Sequence, residues 1–223
     1  MATYPPEELA GVYRAIRERR DVRSGFRPEP LPQELVLRLL QSAHQAPSVG
    51  LMQPWRFILI RSEEIRRAVH AIFQQVSAKE RQTYSGERAQ LYSQLTLQGI
   101  LTAPLNLCVV CDSESSQGHS LGRHTMPETS LYSSVCAIQN LWLAARAEGV
   151  GIGWVSILDP DRIKSLLKIP PTLALVGYFC MGYVDQFAPE PELEQAGWER
   201  RLALKDVLRC ETFDQPWESA EKG

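Results

Sequence analysis

Segments that read as β-strands are separated along this chain by pairs of helices rather than by single helices. Three of them are apolar: WRFILI at 55–60, LNLCVVCD at 105–112 and TLALVGYFCMGYV at 172–184. A regular doubly wound sheet joins parallel strands by single helical crossovers, so this spacing argues against that fold. No repeat and no low-complexity linker divides the 223 residues. We therefore predict one domain, residues 1–223, with a compact mixed sheet flanked by helices.

Apolar periodicity, N-cap residues and prolines predict the helices around these strands. Ser62 is a predicted N-cap, and Asp159 followed by Pro160 opens a short helix. The longer predicted helices cover about 7–20, 32–46, 63–77, 91–101 and 130–149. The polar segment at about 78–98 is interpreted as a loop or mobile lid that is helical in part. The tail at about 185–223 is rich in Pro and Glu and is interpreted as an arm.

Charge and cysteine content limit the classes of partner. With 24 basic and 26 acidic residues the formal net charge is -2, which predicts neither a nucleic acid nor a membrane surface as partner. No apolar run approaches the ~18 residues that a membrane span needs. Five cysteines, an odd number, do not suit a secreted disulfide framework. We expect a cytoplasmic protein.

Several apparent motifs do not support the chemistry that they first suggest. GVGIGW at 149–154 has the wrong spacing and position for a dinucleotide fingerprint. Its glycines indicate either a helix C-cap with a tight turn or a close backbone approach to a flat ligand. Cys108 and Cys111 lie within a predicted strand and point to opposite faces, and the histidines show no metal-ligand spacing. No metal site is predicted.

The segment RERRDVRSGF, followed by Arg27, places five arginines in eleven positions. Cations at a helix C-terminus complement the macrodipole, and this explains those at 17–20. It does not explain Arg23 and Arg27 beyond the helix, nor Asp21 between them. Guanidinium groups are the preferred binders of phosphate oxygens. A solvated helix end and an anion site both remain open on these grounds alone.

Three segments taken together resemble the nitroreductase-like flavoproteins. They are RRDVRSGF, APSVGLMQPWRF and EGVGIGW, and the resemblance spans roughly residues 12–185. It implies an α+β nitroreductase-like fold with a mainly antiparallel central sheet. It also implies a homodimer in which the C-terminal arm, with Trp198 and Arg201, is exchanged between subunits.

Departures from the general family pattern point to one branch. Asp21 stands where the family usually has Ser, Leu51 where it has Asn, and Ser156 follows in GWVSI. This combination, with PELEQAGWERR in the tail, resembles the 5,6-dimethylbenzimidazole synthases (BluB type). The resemblance implies O2-dependent fragmentation of reduced FMN to 5,6-dimethylbenzimidazole and erythrose 4-phosphate, for the lower ligand of cobalamin. A separate flavin reductase is implied as the source of reduced FMN.

The resemblance also implies roles for particular residues. Asp21 is the expected acid-base group, because a carboxylate transfers protons readily at neutral pH where a serine hydroxyl does not. Ser156 is the second expected catalytic residue, near the edge of the flavin ring. Leu51 puts in doubt the flavin contact that an amide usually makes there. The implied FMN-binding residues are Arg19, Arg20, Arg23, Ser48, Met52, Gln53, Trp154, Val155 and Arg201.

Two other functions remain open. One is an NAD(P)H-dependent nitroreductase or flavin reductase in which FMN stays bound, and the other is a flavin-binding protein without turnover. Asp21 favours the synthase over the reductase, because hydride transfer to flavin requires no additional carboxylate. Closure of the 78–98 segment over the flavin would favour the synthase as well.

Overall fold

A computed structural model of the chain describes residues 3–95 and 97–217. Residue 96 of the predicted lid and residues 218–223 of the predicted arm lie outside the described residues. The elements in chain order are α1 Pro6–Glu18, α2 Gln33–His44, a 3-10 turn Val49–Leu51, β1 Trp55–Ile60, α3 Glu63–Arg81, α4 Gly86–Gln94, α5 Gly99–Thr102, β2 Leu105–Cys111, α6 Thr129–Ala147, β3 Val150–Val155, α7 Pro160–Leu166, β4 Ala174–Tyr183, α8 Glu192–Gln195 and α9 Leu204–Val207.

Four strands form one sheet in the order β1-β2-β4-β3, and every neighbouring pair is antiparallel. Cys108 on β2 lies opposite Ile58 on β1 and Tyr178 on β4. Within the described ranges, the one parallel pairing is an isolated bridge between Asp21 and Ile152 of β3. The predicted α+β class, with a mainly antiparallel sheet between helices, is confirmed.

Each face of the sheet packs against its own layer of helices. Along β2, Leu107 and Val109 join the apolar cluster under α2 and α6, whereas Cys108 and Val110 join the cluster under α3, α5 and α7. This alternation is that of a strand buried on both faces. Full burial of a Leu such as Leu107 contributes roughly 1.5–3 kcal/mol, so these two clusters hold the sheet in place.

The glycine-rich segment GVGIGW forms strand β3, which the sequence analysis did not predict. Gly149 follows α6 with a φ of 74°, as expected for a helix C-cap. Gly153 lies within the strand, where a Cβ would overlap the carbonyl oxygen of Val22. The close approach at Gly153 is therefore made by the chain's own segment 21–22, which crosses β3 here.

Two predicted helices have different bounds in the structure. The helix capped by Ser62 extends to Arg81, and the Ser62 side chain accepts the backbone N–H of Ile65 as predicted. The helix predicted at 91–101 is wrong as one element: α4 ends at Gln94 and α5 begins at Gly99. The backbone N–H groups of Gln98 and Gly99 instead donate to the carbonyl oxygen of Arg23, at 3.1 and 3.2 Å. This long-range pairing replaces helical hydrogen bonds between the two elements.

Candidate active site

The arginine-rich segment leaves α1 in an extended conformation and crosses β3. Arg19 has a ψ of 135°, which ends the helix, and the N–H of Val22 donates to the carbonyl oxygen of Ile152 at 3.0 Å. Neighbouring side chains of an extended segment point to opposite sides. Val22 accordingly enters the core, while Asp21 stays partly exposed.

The Asp21 carboxylate joins β3 to the arginine-rich segment. Its Oδ1 accepts the backbone N–H of Trp154 at 2.7 Å, and its Oδ2 lies 3.4 Å from Nε of Arg23. The side chain remains 35% exposed. One oxygen is thus fixed by backbone, and the other faces a cation at the edge of a cavity.

The side chains of the neighbouring arginines differ in the contacts that they make with the rest of the protein. Arg19 lies over the ring of Trp142, 4.8 Å from its centroid. Burial and then the charge of Arg201 lower the pKa of Arg19. Arg20 donates to the carbonyl oxygens of Arg17, Arg19 and Pro189, and its buried Nε has no partner within the described residues. Arg20 therefore connects the end of α1 to the arm, and Arg19 and Arg201 form a positive pair that Asp21 compensates only in part.

A small cavity, which we call the arginine pocket, lies at this positive pair. Its volume is about 100 Å³, and it is lined by Arg19, Arg20, Asp21, Arg23, Pro191, Glu192, Leu193 and Arg201. Burial raises the pKa of Glu192, although Arg23 opposes the shift. Because four guanidinium groups face two carboxylates, the pocket suits an anion such as a phosphate group.

A second cavity of about 250 Å³, which we call the aromatic pocket, has Arg23 and Leu193 in common with the arginine pocket. Ser156 and Trp154 line it from the end of β3. The opposite walls come from α3, α4 and the arm, and they comprise Phe73, Ser77, Glu80, Tyr84, Tyr92 and Trp198. The segment predicted as a lid therefore supplies a wall of the cavity that contains Ser156.

The remaining predicted contacts lie on another surface. Gln53 and Met52 line an open groove of about 750 Å³ together with His44, Trp55 and residues 115–117. The Oγ of Ser48 accepts the N–H of Gln53 at 3.1 Å, so Ser48 closes the local turn. The structure does not bring these residues into either pocket of the arginine-rich side. The predicted FMN-binding set is thus divided between two surfaces of one chain.

The structure also shows where Met52 and Val155, two predicted FMN contacts, and Leu51 lie. Met52 is buried, and Ser130 Oγ lies 3.7 Å from its sulfur. Val155 is buried in the cluster under α3, so its side chain belongs to the core. Leu51, which replaces the usual amide, is 68% exposed.

Sequence reasoning missed the residues of the lid and arm that line the aromatic pocket. Tyr84 and Tyr92 stack with ring centroids 5.0 Å apart, and Trp198 meets Tyr84 edge-on at 5.4 Å. Arg88 of α4 donates to the carbonyl oxygen of Trp198 and lies over its ring. The available signal was the pair of tyrosines within an otherwise polar segment, because aromatic residues there need a surface to pack on.

Within 3–95 and 97–217, no group of three or more His, Cys, Asp and Glu side chains is arranged to hold a metal ion. Across the same ranges, no helix combines the length and apolar character required to cross a membrane.

Comparisons with known proteins give consistent results. A model of the nitroreductase family matches residues 16–183. A 5,6-dimethylbenzimidazole synthase of Rhodospirillum rubrum is 45% identical over 206 residues, covering 92% of this chain and 97% of that protein. One of Rhodobacter capsulatus is 43% identical over 187 residues, covering 84% and 90%. The crystal structure of an iodotyrosine deiodinase bound to FMN and 3-iodo-L-tyrosine superposes with a TM-score of 0.72 at 22% identity, covering 91% of this chain and 100% of that one.

Proposed function

The chain belongs to the nitroreductase family, and we propose that it is a 5,6-dimethylbenzimidazole synthase that fragments reduced FMN with O2. The observation that carries the proposal is 45% identity to a synthase over 97% of that protein's length. The structure adds that Asp21 and Ser156, two of the residues on which the resemblance to this branch rests, line adjoining pockets. The products are 5,6-dimethylbenzimidazole, for the lower ligand of cobalamin, and erythrose 4-phosphate.

The arginine pocket fits the phosphate of FMN. The charge of Arg201 disfavours the charge of Arg19, and Asp21 compensates this effect only in part. A phosphate group would relieve that repulsion and accept paired N–H donors. Arg23 lines both pockets, so it can contact the flavin between its phosphate and its ring. This arrangement orients the substrate as well as binding it.

Reduced FMN supplies the ring that is fragmented and the electrons that reduce O2. Asp21 is the carboxylate that we assign to proton transfer, through the oxygen that is not engaged by the Trp154 N–H. The Arg23 guanidinium beside that oxygen keeps the carboxylate oriented. Ser156 offers a hydroxyl on the wall of the adjoining pocket, where it can donate a hydrogen bond to oxygen. The lid and arm limit the access of water to both.

A homodimer completes the site in this proposal. The predicted contacts Ser48, Met52 and Gln53 lie away from both pockets, so one chain presents two partial sites. Large apolar side chains are exposed on α1 and on the arm, and they are Leu9, Val12, Tyr13, Ile16, Leu202, Leu204, Val207, Phe213 and Trp217. Exposed apolar surface of this kind is typical of a subunit interface. We propose that the groove of one subunit faces the arginine pocket of the other, with the part of the arm beyond Arg201 crossing between them.

The cytoplasm, where a separate flavin reductase supplies reduced FMN, is the proposed setting. The competing function is an NAD(P)H-dependent nitroreductase that retains FMN. Mixing the purified protein with chemically reduced FMN in air tests the two. We expect 5,6-dimethylbenzimidazole by chromatography, and FMN that exchanges readily. Stoichiometric non-exchanging FMN, rapid NADPH oxidation and no benzimidazole would contradict the proposal.

A further inference from the structure

Trp142 of α6 contacts two consecutive residues of the arginine-rich segment, and the proposed reaction assigns it no role. Its side chain is buried. The indole Nε1 donates to the backbone carbonyl oxygen of Arg20 at 3.0 Å, across 122 residues of chain. The guanidinium carbon of Arg19 lies over the ring, 4.8 Å from its centroid. One side chain of α6 therefore contacts both the backbone and an arginine side chain at the arginine pocket.

Arg146, one helical turn after Trp142, contacts the same segment on the other side of Arg19. Its Nε donates to the carbonyl oxygen of Glu18 at 3.2 Å, and its Nη2 lies 2.7 Å from Oε2 of Glu18. Residues four positions apart lie on one face of a helix. The carbonyl groups before and after Arg19 thus both accept hydrogen bonds from α6. The backbone of Arg19 is therefore fixed on both sides.

The packing around Trp142 fixes the orientation of its ring. Phe179 of β4 meets the ring at 77° with centroids 6.2 Å apart, and Trp154 of β3 meets it at 59° with centroids 6.3 Å apart. An indole N–H can only donate, so its bond to the Arg20 carbonyl also determines which way the ring faces. A ring held by two aromatic neighbours and one hydrogen bond presents a fixed surface to Arg19.

We propose that Trp142 is a positioning residue for the phosphate of the substrate, because it holds the Arg19 guanidinium at the arginine pocket. The inference rests on the proposed function. The charge of Arg201 disfavours a charged Arg19 there, and the face of an aromatic ring attracts a guanidinium group. Arg20 donates its N–H groups to carbonyl oxygens, whereas a guanidinium group on a ring face keeps its N–H donors for an anion.

The competing explanation is that Trp142 is only a core residue whose N–H bonds a nearby carbonyl. Affinity for FMN compared with riboflavin, which lacks the phosphate, separates the two. Anaerobic isothermal titration calorimetry of the full chain measures binding of both flavins in reduced form. Trp142→Phe keeps an aromatic ring, removes the N–H donor and weakens the attraction for Arg19. Leu141→Ala is the matched control, because Leu141 is buried in the same apolar cluster but consecutive helix positions do not share a face.

We expect Trp142→Phe to bind reduced FMN about 10-fold more weakly and reduced riboflavin as the wild type does. Leu141→Ala should keep both affinities, although its free energy of unfolding should fall. Equal losses for the two flavins in Trp142→Phe would overturn the proposal, because Trp142 would then support the fold or the flavin ring. An FMN affinity within twofold of the wild type, or a selective loss of FMN affinity in Leu141→Ala, would overturn it as well.

A double-mutant cycle with Arg19→Leu tests whether Trp142 acts through Arg19. If it does, Trp142→Phe should change FMN affinity by less than twofold once Arg19 is absent. Independent effects would multiply instead, and that result would overturn the proposal.

The wild-type measurements separate this inference from the proposed function. If the wild type forms 5,6-dimethylbenzimidazole and Trp142→Phe retains the full preference for FMN over riboflavin, this inference alone fails. If that preference depends on Trp142 but no benzimidazole forms, the proposed function fails and the positioning role stands. A wild type that binds FMN and riboflavin equally would overturn the inference, because the arginine pocket would then hold no phosphate.

Discussion

The arginine pocket and the 48–53 turn carry the two parts of the predicted flavin site, and they are built by different means. The arginine pocket is assembled by contacts between distant segments, since Asp21 accepts the N–H of Trp154 across 133 residues of chain. The turn is closed from within, because Ser48 Oγ accepts the N–H of Gln53, and one bond from the Val49 N–H to Oγ of Ser133 ties it to α6. Its backbone has φ of 54° at Gly50, 55° at Leu51 and 48° at Gln53.

This difference indicates what each part can do alone. The arginine pocket has a carboxylate, Asp21, fixed against β3, and all the groups that we propose for the phosphate lie in one chain. Leu51 of the turn is exposed, and Gln53 lines an open groove. Such a surface contributes to a buried site only when another surface covers it. The following experiments separate the two parts, from the largest expected effect to the smallest.

Asp21→Asn should have the largest effect, because it removes the proton-transferring group and leaves the arginines in place. Asparagine still offers Oδ1 to the Trp154 N–H, so binding of reduced FMN should change little. Benzimidazole formation should fall by about 10²-fold or more, as expected for loss of a general acid-base group. Product yield under air is measured beside FMN affinity. Asp161→Asn, in the first turn of α7, is the matched control. An undiminished rate at normal FMN affinity would show that Asp21 only balances charge.

Asp21→Ser, which restores the usual family residue, should lose product formation in the same way. Both variants should let O2 reoxidise the flavin without fragmenting it, which absorbance of the oxidised flavin reports. Weaker FMN binding in both would instead indicate that the carboxylate organises the arginines.

Mixed dimers should show whether the two parts come from different subunits. Asp21→Asn damages the arginine pocket and Gln53→Ala the turn, so each variant alone should have little activity. If the site is shared, each dimer of one Asp21→Asn chain and one Gln53→Ala chain contains one intact site of two, which predicts recovery to about half of wild-type activity in these dimers. The two chains are co-expressed with different tags, and the doubly tagged dimers are assayed. Activity that stays at the level of the single variants would place both parts in one subunit.

Gly153→Ala should destabilise the arginine pocket specifically, because a Cβ there would overlap the Val22 carbonyl oxygen. We expect a loss of about 1–3 kcal/mol in the free energy of unfolding, as for other overpacked sites. Gly11→Ala in α1 is the control, since nothing lies within 4 Å of its Cβ position. It should gain up to about 1 kcal/mol from helix propensity. Urea unfolding measures the free energy of unfolding of both variants. Equal values would mean that segment 21–22 is not fixed against β3.

Arg201→Leu should have the smallest effect, because it should remove only a contact with the phosphate of FMN. Loss of one charge-assisted contact should weaken FMN binding by about 10-fold. Riboflavin, which has no phosphate, should bind the variant and the wild type equally. Arg200→Leu, one position away and outside the pocket lining, should change neither affinity. Equal losses for FMN and riboflavin would assign Arg201 to the ring instead.

Local sequence was sufficient for much of the fold. The strand at 55–60 has the predicted bounds, and Ser62 and Asp159 cap their helices as expected. Apolar periodicity determines where such helices and strands form, because one face of each must be buried whatever packs against it. The mainly antiparallel sheet between helices was implied by the resemblance to the nitroreductase-like flavoproteins.

Local sequence could not predict strand β3 or the break between α4 and α5. Glycine has little intrinsic preference for a strand, and Gly153 is required only because segment 21–22 crosses there. Residues 97–98 are of types that occur readily in helices, but the backbone N–H groups of Gln98 and Gly99 donate to the carbonyl oxygen of Arg23. Both outcomes depend on partners more than 70 positions away, as the Arg23 and Gln98 pair shows.

For the site, the sequence alone determined which chemical groups are present: an arginine cluster with one acid inside it, and Ser156 after the glycines. The tertiary structure decided how they are used. Arg20 is committed to backbone carbonyls while Arg19 and Arg201 share a cavity, and Ser156 faces Tyr92 and Trp198. A guanidinium group can donate hydrogen bonds to an anion or to a carbonyl oxygen. Its role therefore follows from which acceptor the folded chain brings within reach.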